Sequence, residues 1–290
     1  MLESFVCNLC PHRCNVDRLS GKRGYCRAAL PEIASFCIHS GEEPPISGKN
    51  GSGTLFFSHC TLSCKFCQNY PISQYGVGKE VSIKGLGEMM FVLQKKGAHN
   101  INLVTADHYI PWVIEAVKYA KSNGLSIPIL LNTSSFLNIE TINSLEGIVD
   151  IFLADFKYFD ESTAAFLCGV SSYPHYAKQA ILRMYELVGA ADADDTIITK
   201  GLIIRHLVMP GFLEQSYKIL GWIYETFGVS VPVSIMGQYF PAYKAVEISK
   251  INRKLNHNEY LGVIQKATEF GFSGWIQNEN CDINDKRKIL

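Results

Sequence analysis

Six short apolar segments, separated by stretches with helical spacing, leave this chain few ways to fold. They lie at residues 53–58, 100–105, 127–131, 148–155, 201–209 and 231–236. Continuous apolar runs of this length mark strands buried on both faces. Residues 85–97 place Leu86, Met89, Met90 and Leu93 at helical spacing, and Pro111 opens a helix over 112–122. A short helix precedes Ile148, and helical stretches at 176–188 and 214–227 supply the remaining connections. Such alternation predicts a parallel sheet. Six units are too few for the eight-stranded closed barrel, so the expected fold is α/β, an open partial (β/α)6 barrel.

Composition sets outer bounds. The 290 residues are 47% hydrophobic and carry 27 acidic against 27 basic side chains. Zero net charge argues against a broad electrostatic grip on nucleic acid or an anionic membrane. No apolar run reaches the roughly 18 residues of a spanning helix, and the start lacks the basic and apolar regions of a secretory signal. Three regions are expected: a loop-rich, Cys-rich segment over 1–50, a core over 51–245, and a helical extension over 246–290. The loop-rich reading rests on Gly21, Gly24, Pro31, Gly41, Pro44, Pro45 and Gly48. The acidic run at 192–195 reads as a solvated loop.

Eight of the ten cysteines precede residue 70. Close spacing without an export signal points to metal or cluster ligation in a reducing cytoplasm, not to disulfides. Cys60, Cys64 and Cys67 form C-x3-C-x2-C, with the aromatic Phe66 just before the third. Three thiolates from one short loop suit a [4Fe–4S] cluster with one iron left open to a ligand that is not protein. The alternatives are a zinc knuckle or buried thiols. Zinc wants four ligands, and His59 beside Cys60 would crowd one tetrahedron.

These cysteines and the segments at 56–73, 100–111, 155–157, 205–211 and 238–244 together resemble the radical S-adenosylmethionine (SAM) superfamily. Within it the chain is similar to the pyruvate formate-lyase activating enzyme-like proteins, specifically the PflX-like branch. The resemblance implies that Cys60, Cys64 and Cys67 hold a [4Fe–4S] cluster and that SAM chelates the open iron. It implies an oxidoreductase or lyase that cleaves SAM to methionine and a 5′-deoxyadenosyl radical, fed by an electron donor such as flavodoxin or ferredoxin. It also places Asp155 and Lys157, a D-x-K pair, at the SAM site. Two departures stand out. Residues 105–108 replace the Gly-Gly-Glu turn of many relatives. His59, and Ser134 or Ser135, stand where relatives carry glycine.

Ligands in parallel β/α folds bind at the carboxyl ends of the strands. Here those ends carry Thr105 and Asp107, Asn132, Asp155 and Lys157, Arg205, and Gln238. For SAM, Lys157 or Arg205 would hold the methionyl carboxylate, and Asp155 or Asn132 would orient the ribose or the amine. Each residue could instead brace a neighbouring loop.

Cys7, Cys10, Cys14 and Cys26 form a second set, C-x2-C-x3-C-x11-C, suited to Zn²⁺ or to a second iron–sulfur cluster. Cys37, Cys168 and Cys281 read as structural. The leading functional expectation is a radical SAM enzyme that activates a glycyl-radical enzyme. Radical modification of another protein, a peptide or a small molecule is the second. A cluster-binding electron-transfer protein is the alternative from another class.

Overall fold

The computed structural model describes residues 5–193, 196–277 and 288–289. Cys281 and two of the four residues at 192–195 lie outside this set. In chain order the elements are β1 (Glu32–His39), α1 (Pro44–Ser47), β2 (Ser52–Phe57), α2 (Tyr70–Ser73), β3 (Lys79–Glu80), α3 (Ile83–Lys95), β4 (Ile101–Val104) and α4 (Ile110–Ser122). Then come β5 (Ile129–Thr133), α5 (Ile139–Asn143), β6 (Ile151–Asp155), α6 (Glu161–Cys168), α7 (Tyr173–Val188), β7 (Gly201–Leu207) and α8 (Leu213–Phe227). The chain closes with β8 (Val233–Met236), α9 (His257–Phe270), β9 (Gly274–Gln277) and β10 (Lys288–Ile289).

All six expected strands form and pair in parallel in the order β2-β4-β5-β6-β7-β8, and β9 adds a seventh. The partial α/β barrel is therefore present, one parallel strand longer than expected. Four segments were not legible as strands: β1, β9 and the two-residue β3 and β10. β1 emerges from the loop-rich first fifty residues and pairs antiparallel with β2. β9 follows α9 inside the stretch expected to be helical, and its Gly-Trp-Ile-Gln sequence holds only two apolar side chains. Gly274 makes its pairing with β8 possible. Its φ is +144°, and a Cβ there would stand 1.9 Å from the Val233 carbonyl oxygen.

Strand register divides the side chains between two faces. Leu55, Leu103, Leu131, Phe152 and Ile204 lie in the main core with apolar residues of the helices, among them Leu86, Met90, Val113, Val117, Ile181, Met184, Ile219 and Ile223. Local signals agree with the helices. Ser82 caps α3 by accepting the Gly85 N–H at 3.1 Å, and Asn256 and Glu259 form a reciprocal capping box on α9.

The opposite face holds a separate cluster of Leu130, Ile151, Leu153, Ile203 and Trp275, closed by Ile46 of α1 with Ala191 and Ile198. The closing segments are joined where Ile198 N–H donates to the Pro45 carbonyl at 2.9 Å. The amino-terminal segment is thus a plug for the sheet's inner face, with Ile46 fully buried at its tip. We expect Ile46→Ala to cost about 2–5 kcal/mol, the range for truncating a buried branched side chain. Urea unfolding followed by far-UV circular dichroism measures it; a loss below about 1 kcal/mol would mean the plug does not pack the inner face.

Candidate active site at the carboxyl ends of the strands

The cysteine loop leaves β2 through Ser58 and His59. His59 has φ +70°, Thr105 after β4 has +60° and Ser135 after β5 has +61°. Three successive strand ends thus turn through left-handed backbone on non-glycine residues. Such strain costs on the order of 1–3 kcal/mol each and concentrates at functional sites. At His59 and Ser135 the backbone takes the left-handed turn that a glycine would take most easily. The His59 ring turns to Glu32, Nε2 to Oε1 3.4 Å, and packs so tightly on Gly76 that a Cβ there would lie 2.4 Å from it. His59 is therefore committed to Glu32 rather than to a metal.

The loop is docked from several sides. Ser63 and Lys65 donate their N–H groups to the carbonyls of Cys168 and Leu167, at 3.2 and 2.8 Å, using the unpaired end of α6. Gln74 Nε2 donates to the Leu62 carbonyl at 3.1 Å. Cys64 is buried, and Cys60 and Cys67 are partly so. Burial pushes the Cys60 thiol well up, and neighbouring Cys64 and Cys67 add to it. Burial also raises Cys64, to about 11, against the pull of Lys157. A fourth thiol, Cys168, is also near Cys64, but it donates back to the Ala164 carbonyl at 3.1 Å inside its own helix. Among the described residues, no three His, Cys, Asp or Glu side chains converge closely enough for a single metal ion. Three neighbouring thiols without a fourth turned toward them suit a larger cluster.

The strand-end residues form one charged network beside this loop. Arg205 is its centre: Nε donates to Asp155 Oδ1 at 2.9 Å, Nη2 to Asn132 Oδ1 at 2.7 Å and Nη1 to Glu42 Oε2 at 3.1 Å. Asp155 Oδ2 takes Lys157 Nζ at 2.5 Å, and Asn102 Nδ2 reaches Glu42 Oε1 at 3.0 Å. Burial alone would raise the Asp155 carboxyl, but Arg205 and Lys157 outweigh it and hold the group below its ordinary value. Lys157 moves upward for the matching reason: Asp155 and Cys64 overcome its burial. Tyr173 fixes the corner, its hydroxyl accepting the Lys157 N–H at 2.9 Å and lying 3.0 Å from the carbonyls of Ser134 and Asp155.

The other expected residues fall around the same site. Phe66 packs against Tyr158 and Tyr239. Thr105 N–H donates to the Asn132 carbonyl at 2.9 Å. Asp107 is fully buried; Oδ2 accepts the Ser134 N–H and hydroxyl at 3.2 and 2.9 Å, while Oδ1 has no partner in hydrogen-bonding geometry, although the Thr133 hydroxyl lies beside the carboxylate. Burial raises its pKa, and its charge is felt at Cys60. Gln238 bridges the sheet, Nε2 donating to Gln277 at 3.1 Å and its carbonyl accepting from Gln68 at 3.0 Å. Glu42, Glu43, Asn102, Tyr158 and Tyr173 were not legible as site residues. The two acids sit in a Gly/Pro-rich stretch without period, and the tyrosines read as ordinary core.

The second cysteine set lies against the same loop. Burial raises the Cys10 thiol to about 12, with Cys26, Cys7 and Cys14 all close enough to add to the shift. Gly24 makes room, since a Cβ there would stand 2.7 Å from Cys14 Sγ. His12 stacks on Tyr25 at 3.7 Å and meets the Thr61 carbonyl at 2.9 Å, while the Tyr25 hydroxyl donates to Ser63 at 3.2 Å. Arg18, wholly buried, stacks over Tyr109 and Trp112 and donates to the carbonyls of Ala29 and His108.

Glu43 yields a pH test. It is fully buried, and neither carboxylate oxygen has a partner in hydrogen-bonding geometry, although Ser234 lies beside it. Burial raises its pKa more than Arg205 lowers it. The folded protein therefore holds this proton more tightly than the unfolded chain. The stability this adds is complete below the ordinary carboxylate pKa and is lost as pH rises through the folded value. Glu43→Gln should match the parent near pH 4 and be at least as stable at pH 7, by thermal melts across that range. A deficit that grows with pH would show an ionised Glu43.

Among the described residues, no helix is long and apolar enough to cross a membrane. No family model matches the chain. It is 32% identical over 270 residues to the uncharacterized protein MJ0674 of Methanocaldococcus jannaschii, covering 91% of this chain and 73% of that protein. Among solved structures it resembles SuiB of Streptococcus suis bound to S-adenosylmethionine (12% identity, TM-score 0.51, 78% of this chain and 49% of SuiB). It also resembles methylornithine synthase PylB (15%, 0.53, 74% and 61%). A third is the FeFe-hydrogenase maturase HydG of Carboxydothermus hydrogenoformans (14%, 0.52, 74% and 50%). The chain spans about half the length of SuiB and HydG. It belongs to the family of the Methanocaldococcus jannaschii protein MJ0674, and its fold is that of the radical SAM enzymes.

Proposed function

We propose that this protein is a radical SAM enzyme whose [4Fe–4S] cluster is held by Cys60, Cys64 and Cys67. The observation that carries the reading is the three-thiol loop at the carboxyl ends of the parallel strands, beside Lys157 and Asp155 and, among the described residues, with no fourth thiol turned toward it. The donor set fits the group, because three soft ligands leave one iron for SAM. A cluster held by Cys60, Cys64 and Cys67 would supply the single electron needed for reductive cleavage of SAM to methionine and a 5′-deoxyadenosyl radical. A low-potential donor of the flavodoxin or ferredoxin type would supply that electron.

The chain's own residues bind and orient. Arg205 has its three nitrogens on Asp155, Asn132 and Glu42, so it serves as a brace. Among the described residues the Lys157 ammonium pairs with Asp155 alone, and its side chain is 26% exposed. It is therefore the better cation for the methionyl carboxylate. The unpaired Asp107 Oδ1 and the strand ends at Asn132 and Gln238 supply acceptors for the amine and ribose. Phe66, walled by Tyr158 and Tyr239, keeps water from the loop.

The finer reading, activation of a glycyl-radical enzyme, rests on the D-x-K pair at Asp155 and Lys157. Modification of a peptide or protein is supported by the fold it shares with SuiB, a protein solved with its precursor peptide SuiA. For Cys7, Cys10, Cys14 and Cys26 we infer a separate zinc or iron–sulfur site that docks on the cluster loop, its thiols drawing together from their present spacing as the metal binds.

Two tests follow from these assignments. Anaerobically reconstituted protein with dithionite should convert SAM to 5′-deoxyadenosine, and Cys64→Ala should abolish this; full cleavage by the variant would refute the cluster assignment. Lys157→Met should weaken SAM binding by roughly 1.5–3 kcal/mol, the range for a hydrogen bond to a charged group, with the cluster spectrum intact. Calorimetry decides, and an unchanged dissociation constant would reduce Lys157 to a brace.

A further inference from the structure

Each of the three loop thiols meets one hydrogen-bond donor. The Leu62 N–H donates to Cys60 Sγ at 3.4 Å, the Tyr158 hydroxyl to Cys64 Sγ at 3.8 Å, and Ser73 Oγ lies 3.1 Å from Cys67 Sγ. The sense of the last contact is set by its neighbours. Gln74 Nε2 donates to the Leu62 carbonyl at 3.1 Å, an atom that can only accept, which fixes the amide's orientation. The same nitrogen stands 3.2 Å from Ser73 Oγ, so its second hydrogen points there. Ser73 is then the acceptor from Gln74, and its own proton is left for Cys67. Gln74 is itself immobilised. It is 5% exposed, and its backbone carbonyl accepts from Arg27 Nη1 at 3.0 Å.

Tyr158 is as firmly placed. It is 1% exposed, with its ring edge-on to both Phe66 and Tyr173. Water does not compete for its hydroxyl. Donors to a cluster's sulfurs stabilise the more negative, reduced state over the oxidised one, and so raise the reduction potential. The Leu62 donor belongs to the backbone and comes with the loop. The other two are side chains that a packing role would not require to carry hydroxyls.

We propose that Ser73 and Tyr158 are positioning residues that set the cluster's potential by donating to the Cys67 and Cys64 thiolates, with Gln74 holding Ser73 in the donating sense. This rests on the cluster assignment above. The step they govern is a one-electron reduction of the cluster by a low-potential donor. Without the two hydroxyls the cluster is harder to reduce.

The test is a redox titration of the reconstituted full chain, with dithionite as reductant and the reduced cluster followed by electron paramagnetic resonance. Ser73→Ala and Tyr158→Phe should each lower the reduced-to-oxidised ratio at a fixed solution potential by several-fold, up to about tenfold, which is 59 mV for a one-electron couple. Iron content and SAM affinity should hold. Gln74→Leu should act in the same direction, and should add nothing in a Ser73→Ala background. Coincident titration curves for parent and variants would overturn the proposal and leave the cluster assignment standing. A variant that loses iron without a shift in potential marks its hydroxyl as a packing group and overturns that residue's role. A parent that binds no [4Fe–4S] cluster overturns both readings.

Discussion

A guanidinium cannot stay buried alone, and the arrangement of this site follows from how Arg205 is satisfied. Its side chain is 12% exposed and reaches across three neighbouring parallel strands, from β7 to Asp155 on β6 and Asn132 on β5. It then takes Glu42 from the amino-terminal segment, which in turn accepts from Asn102 on β4. Removing one member of such a set strands a charge in low dielectric, at a cost of about 3–5 kcal/mol. Asp155 is shared between Arg205 and Lys157, so the lysine's position beside Cys64 depends on the same guanidinium.

The plug explains why the network needs a partner from outside the barrel. Below Arg205 the inner face is apolar and closed by Ile46, Ala191 and Ile198. Above, the strand ends turn polar. Residues 41–47 cross this boundary, with Ile46 serving the lower layer and Glu42 and Glu43 the upper. A single short segment therefore fills the inner face and neutralises its rim. Glu42 pairs with Arg205, whereas Glu43 lacks such a partner and is held toward its neutral form.

How much of this was legible depends on whether the signal was local. The six parallel strands were readable because each is a short apolar run between helical spacings, and the cysteines because chemistry demands their spacing. Asp155 and Lys157 were readable as a pair on one face of one strand end. Glu42 and Asn102 were not, since their partners lie 163 and 60 residues away in sequence. Tyr158 and Ser73 were hidden for another reason. A tyrosine after an apolar strand and a serine in a short helix have core and surface readings that nothing nearby displaces. β9 was missed because Gly-Trp-Ile-Gln holds only two consecutive apolar side chains between a glycine and a glutamine.

The cysteine loop is held from two sides of different origin. On one side the carbonyl end of α6 takes the Ser63 and Lys65 amides, an attachment that the helix supplies as soon as it forms. On the other, His12, Tyr25 and Arg27 reach Thr61, Ser63 and the Gln74 carbonyl from between and beside the four cysteines of the first set. That segment has little core of its own. Arg27 directly follows Cys26 and has φ +62°, so its reach to Gln74 depends on the backbone fixed by Cys26. Burial raises both the Cys10 and the Cys26 thiols, and Cys7 and Cys14 add to each, a crowding that a bound metal would relieve by taking the thiolates. Order in the first cysteine set is thus coupled through Arg27 and Gln74 to Ser73 at Cys67. The two cysteine sets are separate in sequence and joined in structure.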